Sequence, residues 1–297
     1  MQNFIMQANR GLLLKASLFL LVCLLAGCSV VRIGYANGDS FVYWWLNGYV
    51  DFTNDQKPWV KAHIDRLFTW HRKTQLKEYV RILSQAQHRL QKQQPVTPAE
   101  LQAEYAVLQK QALAVIDKAM PELTDLALSL QPEQMAHLEN KLASNNEKYR
   151  KDYLQGSLEK RQSRRTEQVM KHAEYWFGGL SEEQEAKIRA ASEARPLNNE
   201  VWLEERMRRQ QELLRMLKKI QAERPSREVV TAMLKEHVAA SAEYFTYAEN
   251  KTFFDASRDG AAEMTAVMIN LATPEQKAHA VKRMQKWIED FQELARK

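Results

Sequence analysis

One short pattern recurs five times in this chain, and it fixes where helices begin. An apolar residue is followed by a residue able to cap, two others, and then Gln or Glu. The copies are Phe52-Thr53-Asn54-Asp55-Gln56, Val96-Thr97-Pro98-Ala99-Glu100, Leu130-Gln131-Pro132-Glu133-Gln134, Leu180-Ser181-Glu182-Glu183-Gln184 and Ala272-Thr273-Pro274-Glu275-Gln276. A Ser or Thr hydroxyl at the cap accepts a backbone N–H of the first turn, and Gln or Glu three residues on bonds back to the cap's own N–H. Pro98, Pro132 and Pro274 suit the first helical position, where no donor is missed. Glu133, Glu182, Glu183 and Glu275 suit the positive end of the helix dipole. Gln131 is a weaker cap than Thr. The caps are spaced 44, 34, 50 and 92 residues apart, which excludes a regular solenoid.

The rest of the chain agrees with a helical reading. Glycine (9) and proline (8) are scarce among 297 residues, strong helix formers dominate, and no segment alternates apolar and polar with a period of two. The fold class is all-α: an elongated multi-helix bundle or cradle over residues 39–297. A first helix, capped by Asp39 or Ser40, carries Phe41 to Val50. Long helices are predicted over 54–92 and 98–119, with a separate piece from Pro121 to Leu130. A helix starting at Pro132 reaches Phe177 with a kink near Gly156. Further helices cover 181–194, 199–223, 226–249, 258–270 and Pro274 to the end.

The first thirty residues carry an export signal. Arg10 and Lys15 precede an apolar run, Ala16 to Ala26, with no acid among them. The run is about eleven residues where a spanning helix needs about 20. It ends in Leu25-Ala26-Gly27-Cys28, which matches the lipobox of bacterial lipoproteins. Small residues admit the peptidase, and the Cys28 thiol accepts the diacylglyceryl group. The expected organisation is a leader over 1–27 (Met6 is an alternative start), a lipidated tether over 28–38 and one periplasmic helical domain. Ser29 is not the aspartate that retains lipoproteins at the inner membrane of enterobacteria, which points to the outer membrane, on its periplasmic side. Cys23 leaves with the leader and Cys28 carries lipid, so no disulfide is available. Losing Arg10 and Lys15 with the leader lowers the 43 basic residues by two against 37 acidic ones, a net charge of +4. That mild balance and the address argue against nucleic acid as a partner.

The five motifs resemble the L-T-x-x-Q motif of the Spy/CpxP family of periplasmic proteins. That resemblance implies an all-helical cradle, and chaperone activity as in Spy. A second resemblance rests on Tyr43-Trp44-Trp45-Leu46-Asn47-Gly48-Tyr49-Val50-Asp51-Phe52, Trp70-His71-Arg72 and Trp176-Phe177-Gly178-Gly179-Leu180. These runs look like an uncharacterised family of proteobacterial lipoproteins, a domain of unknown function. It implies an address and a helical fold, and no activity.

Candidate chemistry is sparse. His63 and His71 lie eight residues apart, and Glu133/His137 and Glu275/His279 have i, i+4 spacing. Metal ligation needs closer or convergent donors, so ordinary surface or core roles are expected, with no metal and no cofactor. No phosphate loop, nucleophile elbow or H-E-x-x-H is present. Tyr43, Trp44, Trp45, Tyr49, Phe52 and Trp59 could meet lipid headgroups, but such a cluster at helical spacing is more often core, and core is the expectation. Segment 148–172 sets eight bases against three acids. Within it Lys148, Tyr149, Arg150, Lys151, Tyr153, Arg161, Arg164 and Arg165 form the candidate binding surface, a place for unfolded chains, anionic lipid or peptidoglycan. The alternative for this segment is a solvated helix face. The functional expectation is a non-enzymatic binding or chaperone-like lipoprotein of the envelope, held to a membrane by lipid on Cys28. The alternative is an assembly factor that docks one envelope complex. The sequence leaves the oligomeric state open.

Overall fold

The computed structural model describes residues 30–92, 94–242 and 248–296. Among these the chain is helical throughout, with eleven α-helices and no strand. They are α1 (Val30–Ala36), α2 (Gly38–Val50), α3 (Gln56–Gln91), α4 (Pro98–Ser129), α5 (Pro132–Tyr149), α6 (Leu158–Phe177), α7 (Glu182–Ala194), α8 (Asn199–Glu223), α9 (Arg227–Ala242), α10 (Ala248–Leu271) and α11 (Pro274–Leu294). A single wide turn, Arg150–Leu154, follows α5.

All five motifs start helices, as their chemistry requires. The N–H of Thr53, Thr97, Gln131, Ser181 and Thr273 each donates to the carboxamide or carboxylate oxygen three residues on. Thr53, Thr97, Ser181 and Thr273 accept the return bond through their hydroxyls.

Four expected boundaries differ. Residues 30–36 form a docked helix inside the segment 28–38 expected as a short tether. Pro121 does not divide α4; the helix continues through it to Ser129, and Arg227 Nη2 donates to the Pro121 carbonyl at 3.1 Å. The segment 132–177 is two helices, not one kinked helix. Gly156 adopts φ +90, and Ser157 caps α6 by accepting from Lys160 N. Ala248 and Glu249, expected in the helix over 226–249, belong instead to α10, which was expected from about 258.

The core lies in patches strung along the long helices. One joins Ala127, Met135, Leu138 and Leu142 to Leu217, Ile220 and Val230, and a neighbouring one joins Tyr43, Phe52, Val60 and Ile64. At the other end Leu90 meets Phe177, Ala272 and Ala280, beside Val169, Ala173, Ile188 and Met264. α3 has 36 residues, a rod of about 54 Å, and it contributes to both ends: Val60 and Ile64 at one, Leu90 at the other. α11 runs antiparallel along it, with Tyr79 against Phe291 and Gln87 Nε2 donating to Val281 O at 3.0 Å.

Candidate functional surfaces

The motifs do more than start helices, because four of them pair. Gln134 Nε2 donates to Gln56 Oε1 at 2.7 Å, and Gln56 Nε2 returns a longer bond of 3.3 Å. Gln184 and Gln276 repeat the exchange at 2.7 and 3.0 Å. Each Nε2 also reaches the carbonyl two residues before its partner's cap. Gln134 takes Asp51 O, Gln56 takes Ser129 O, Gln276 takes Gly179 O and Gln184 takes Leu271 O. Each Oε1 meanwhile accepts its own cap's N–H. A carboxamide can serve all of these partners at once. A carboxylate can accept but has no proton to donate. The Thr97 motif carries Glu100 instead, and it is joined differently: Val96 N and O bond to the side chain of Asn270.

The two crossings share a register. His137 donates to Gly48 O, five residues before Thr53, and His279 donates to Trp176 O, five residues before Ser181. Both histidines lie three residues after a paired Gln. A carbonyl partner makes each ring nitrogen a donor, so these rings tie helices together. The i, i+4 Glu pairing read from the sequence is not what holds them. His63 contacts Glu122 and Arg66 and stacks on Trp59. His71 lies between Tyr35 and Tyr79, its Nδ1 2.9 Å from Tyr35 Oη, and burial lowers its pKa from the ordinary value. Among the described residues no cluster of His, Cys, Asp or Glu is arranged to hold a metal.

The basic segment is divided between backbone ties and solvent. Arg165 donates to Ser192 O, Arg195 O and Pro196 O, closing the C-terminal end of α7. Burial, and then the charge of Arg195, push its pKa down to about 10. Arg161 bonds Glu200 and the Leu154 carbonyl, and Arg164 bonds Asp152 O and Gln155 O. Arg150 reaches Glu147 and Met207 Sδ. Tyr149 is half-buried under Arg206 and stacks at 4.7 Å on Tyr153, which is exposed. Lys148 and Lys151 are exposed. The arginines are therefore committed within the fold, Arg161 and Arg164 to the turn between α5 and α6, Arg165 to the end of α7 and Arg150 to Glu147 and Met207, while Lys148, Lys151 and Tyr153 stay exposed.

The aromatic cluster near the N-terminus splits. Tyr43 and Phe52 are buried, as expected. Trp44 and Trp45 are 69 and 62 % exposed, against the expectation of core, and neighbouring Phe41 is 64 % exposed. The inward stripe of α2 is taken by Tyr43, Leu46 and Val50, which turns 41, 44 and 45 outward at helical spacing. Sequence alone could not say which of two apolar stripes would be covered. Ahead of it, α1 is fastened to the body. Arg32 pairs with Asp290 at 3.0 Å and with Glu293, and Tyr35 packs edge-on against Phe68. Cys28 and the apolar run lie outside the described residues. No helix among the described ones is long and apolar enough to cross a membrane.

The profile of a family of unknown function, DUF6279, matches residues 48–244. The chain belongs to the DUF6279 family. A search of curated proteins finds no match, and a search of solved structures finds none. The DUF6279 match covers two thirds of the chain. It contains the Gln56–Gln134 crossing whole and only Gln184 of the other. Since Gln276 and α11 complete that second crossing, the folded unit extends beyond the matched DUF6279 residues.

Proposed function

We propose that this DUF6279 protein is a lipoprotein of the cell envelope, anchored through Cys28 on the periplasmic side of the outer membrane, and that it acts by binding other proteins. The observation that carries the address is the sequence Leu25-Ala26-Gly27-Cys28 behind a basic, apolar leader. One acyl chain holds a protein only marginally, and two or three hold it persistently. The binding role is supported by the helix-start motifs, which resemble those of the Spy/CpxP proteins, and by exposed Lys148, Lys151 and Tyr153 beside the α5–α6 turn.

Replacing Cys28 by Ala tests the address. The expected result is loss of lipid mass from the protein and its transfer from the membrane to the soluble fraction. Unchanged processing and fractionation would overturn the anchor. In-cell crosslinking tests the role. Many unrelated proteins captured, together with suppression of their aggregation by near-equal amounts of this protein, supports a chaperone. One partner captured repeatedly supports the second reading, an assembly factor. The latched helix crossings favour that reading so far as they make the body rigid.

A further inference from the structure

The exposed aromatic face of α2 lies close, along the chain, to the proposed lipid. Fifteen residues separate Val30 from Trp45, so the face is within about 25 Å of the start of α1. α1 cannot swing freely, because Arg32 is held by Asp290, whose side chain is only 5 % exposed, and Tyr35 by His71 and Phe68. At the entry to α2, a side chain on Gly38 would meet the Phe68 ring at 2.6 Å, so the two helices sit hard against α3. Only Ser29 separates the acylated residue from this fastened segment. Anchoring therefore sets the body's orientation as well as its location.

The geometry points to Phe41, Trp44 and Trp45 as a bilayer-contacting face, seated among the headgroups of the membrane that holds Cys28. This rests on the anchor reading. Three large aromatic side chains on one helical stripe form an apolar patch of the kind that marks an interaction site, and Trp at such a place favours the membrane–water boundary. Asp39 and Asp65 line the shallow groove beside Trp44, with Lys61 as the cation there. That mixed charge fits zwitterionic lipid and makes the contact insensitive to salt.

The test uses the full, lipidated protein in vesicles of zwitterionic phospholipid whose acyl chains are brominated near the headgroup. Bromine quenches tryptophan that touches it. Trp44→Phe/Trp45→Phe keeps the surface apolar and removes the two reporters, so the difference between native and variant emission isolates them. The expected result is difference emission roughly twofold weaker than in unbrominated vesicles, unchanged by high salt. Unquenched difference emission from protein shown by mass to carry lipid on Cys28 overturns this inference and leaves the anchor standing. Protein without lipid on Cys28 overturns the anchor reading, and this one with it.

Discussion

Gln184 and Gln276 hold each other by both ends of their carboxamides, 2.7 Å in one direction and 3.0 Å in the other. Gln184 is 9 % exposed, so its polar atoms have little recourse to water. Replacing either residue by Ala removes the exchange and frees the carbonyl its own Nε2 held, Leu271 O for Gln184 and Gly179 O for Gln276, a cost of about 1–3 kcal/mol. The double variant is expected to lose less than the sum of the singles, the mark of a shared interaction. Urea denaturation of the four proteins measures it. Glu100→Gln provides the contrast: its motif has no glutamine partner, and the denaturation midpoint is expected to stay where it is.

Arg165 closes α7 by donating to three carbonyls. A lysine carries one charged nitrogen and cannot span them. Arg165→Lys is therefore expected to destabilise by about 1–3 kcal/mol, while Lys151→Ala leaves the melting temperature unchanged. Thermal melts of both variants check this. Equal effects from the two would show that the basic segment is a uniform surface.

Arg32 is the cation for a buried acid. Arg32→Ala leaves Asp290 with no base at 3.0 Å and loosens α1 first, because α1 has few other holds. Hydrogen exchange across residues 30–36 is expected to accelerate roughly tenfold or more, with the remaining helices unaffected. Exchange at the native rate would mean that Tyr35 and Phe68 suffice.

Burial lowers the pKa of His71 and of His237 below the ordinary 6.5. The unfolded chain then binds protons more readily than the folded one as pH falls through 6.5. The stability these residues contribute is complete above that pH and is lost toward their lowered folded values. Stability should therefore rise with pH between about 5 and 7. His71→Phe should flatten the slope, as read from denaturation midpoints across that range. An unchanged slope would place the titration elsewhere.

Helix starts were legible because capping is a local matter: Thr53, Thr97, Ser181 and Thr273 need only their own next three residues. The pairing of the motifs was not, since it depends on which corners meet in space. A trace of it was present all the same. Four copies end in Gln and one in Glu, and His follows by three in Gln134-Met135-Ala136-His137 and Gln276-Lys277-Ala278-His279. Pro121 misled because proline stops a helix only where the missing N–H and the ring cannot be accommodated. Arg161, Arg164 and Arg165 read as a surface because nothing in a sequence shows a guanidinium folding back on a carbonyl. Trp44 and Trp45 read as core because hydrophobicity marks what water avoids without saying what replaces it.

α3 starts in one glutamine crossing with Gln56 and ends beside the other, where Leu90 packs on Ala272 and Ala280, and the crossings have no side chain in common. Cohesion is thus divided between two latches about 50 Å apart along a single rod. Strain at one tip reaches the other along that rod and along α4, which follows Val96 at Asn270 and ends with Ser129 at Gln56. Such a molecule should fray from one end while the far end stays shut, and a ligand that props open a single tip would find the opposite one still fastened.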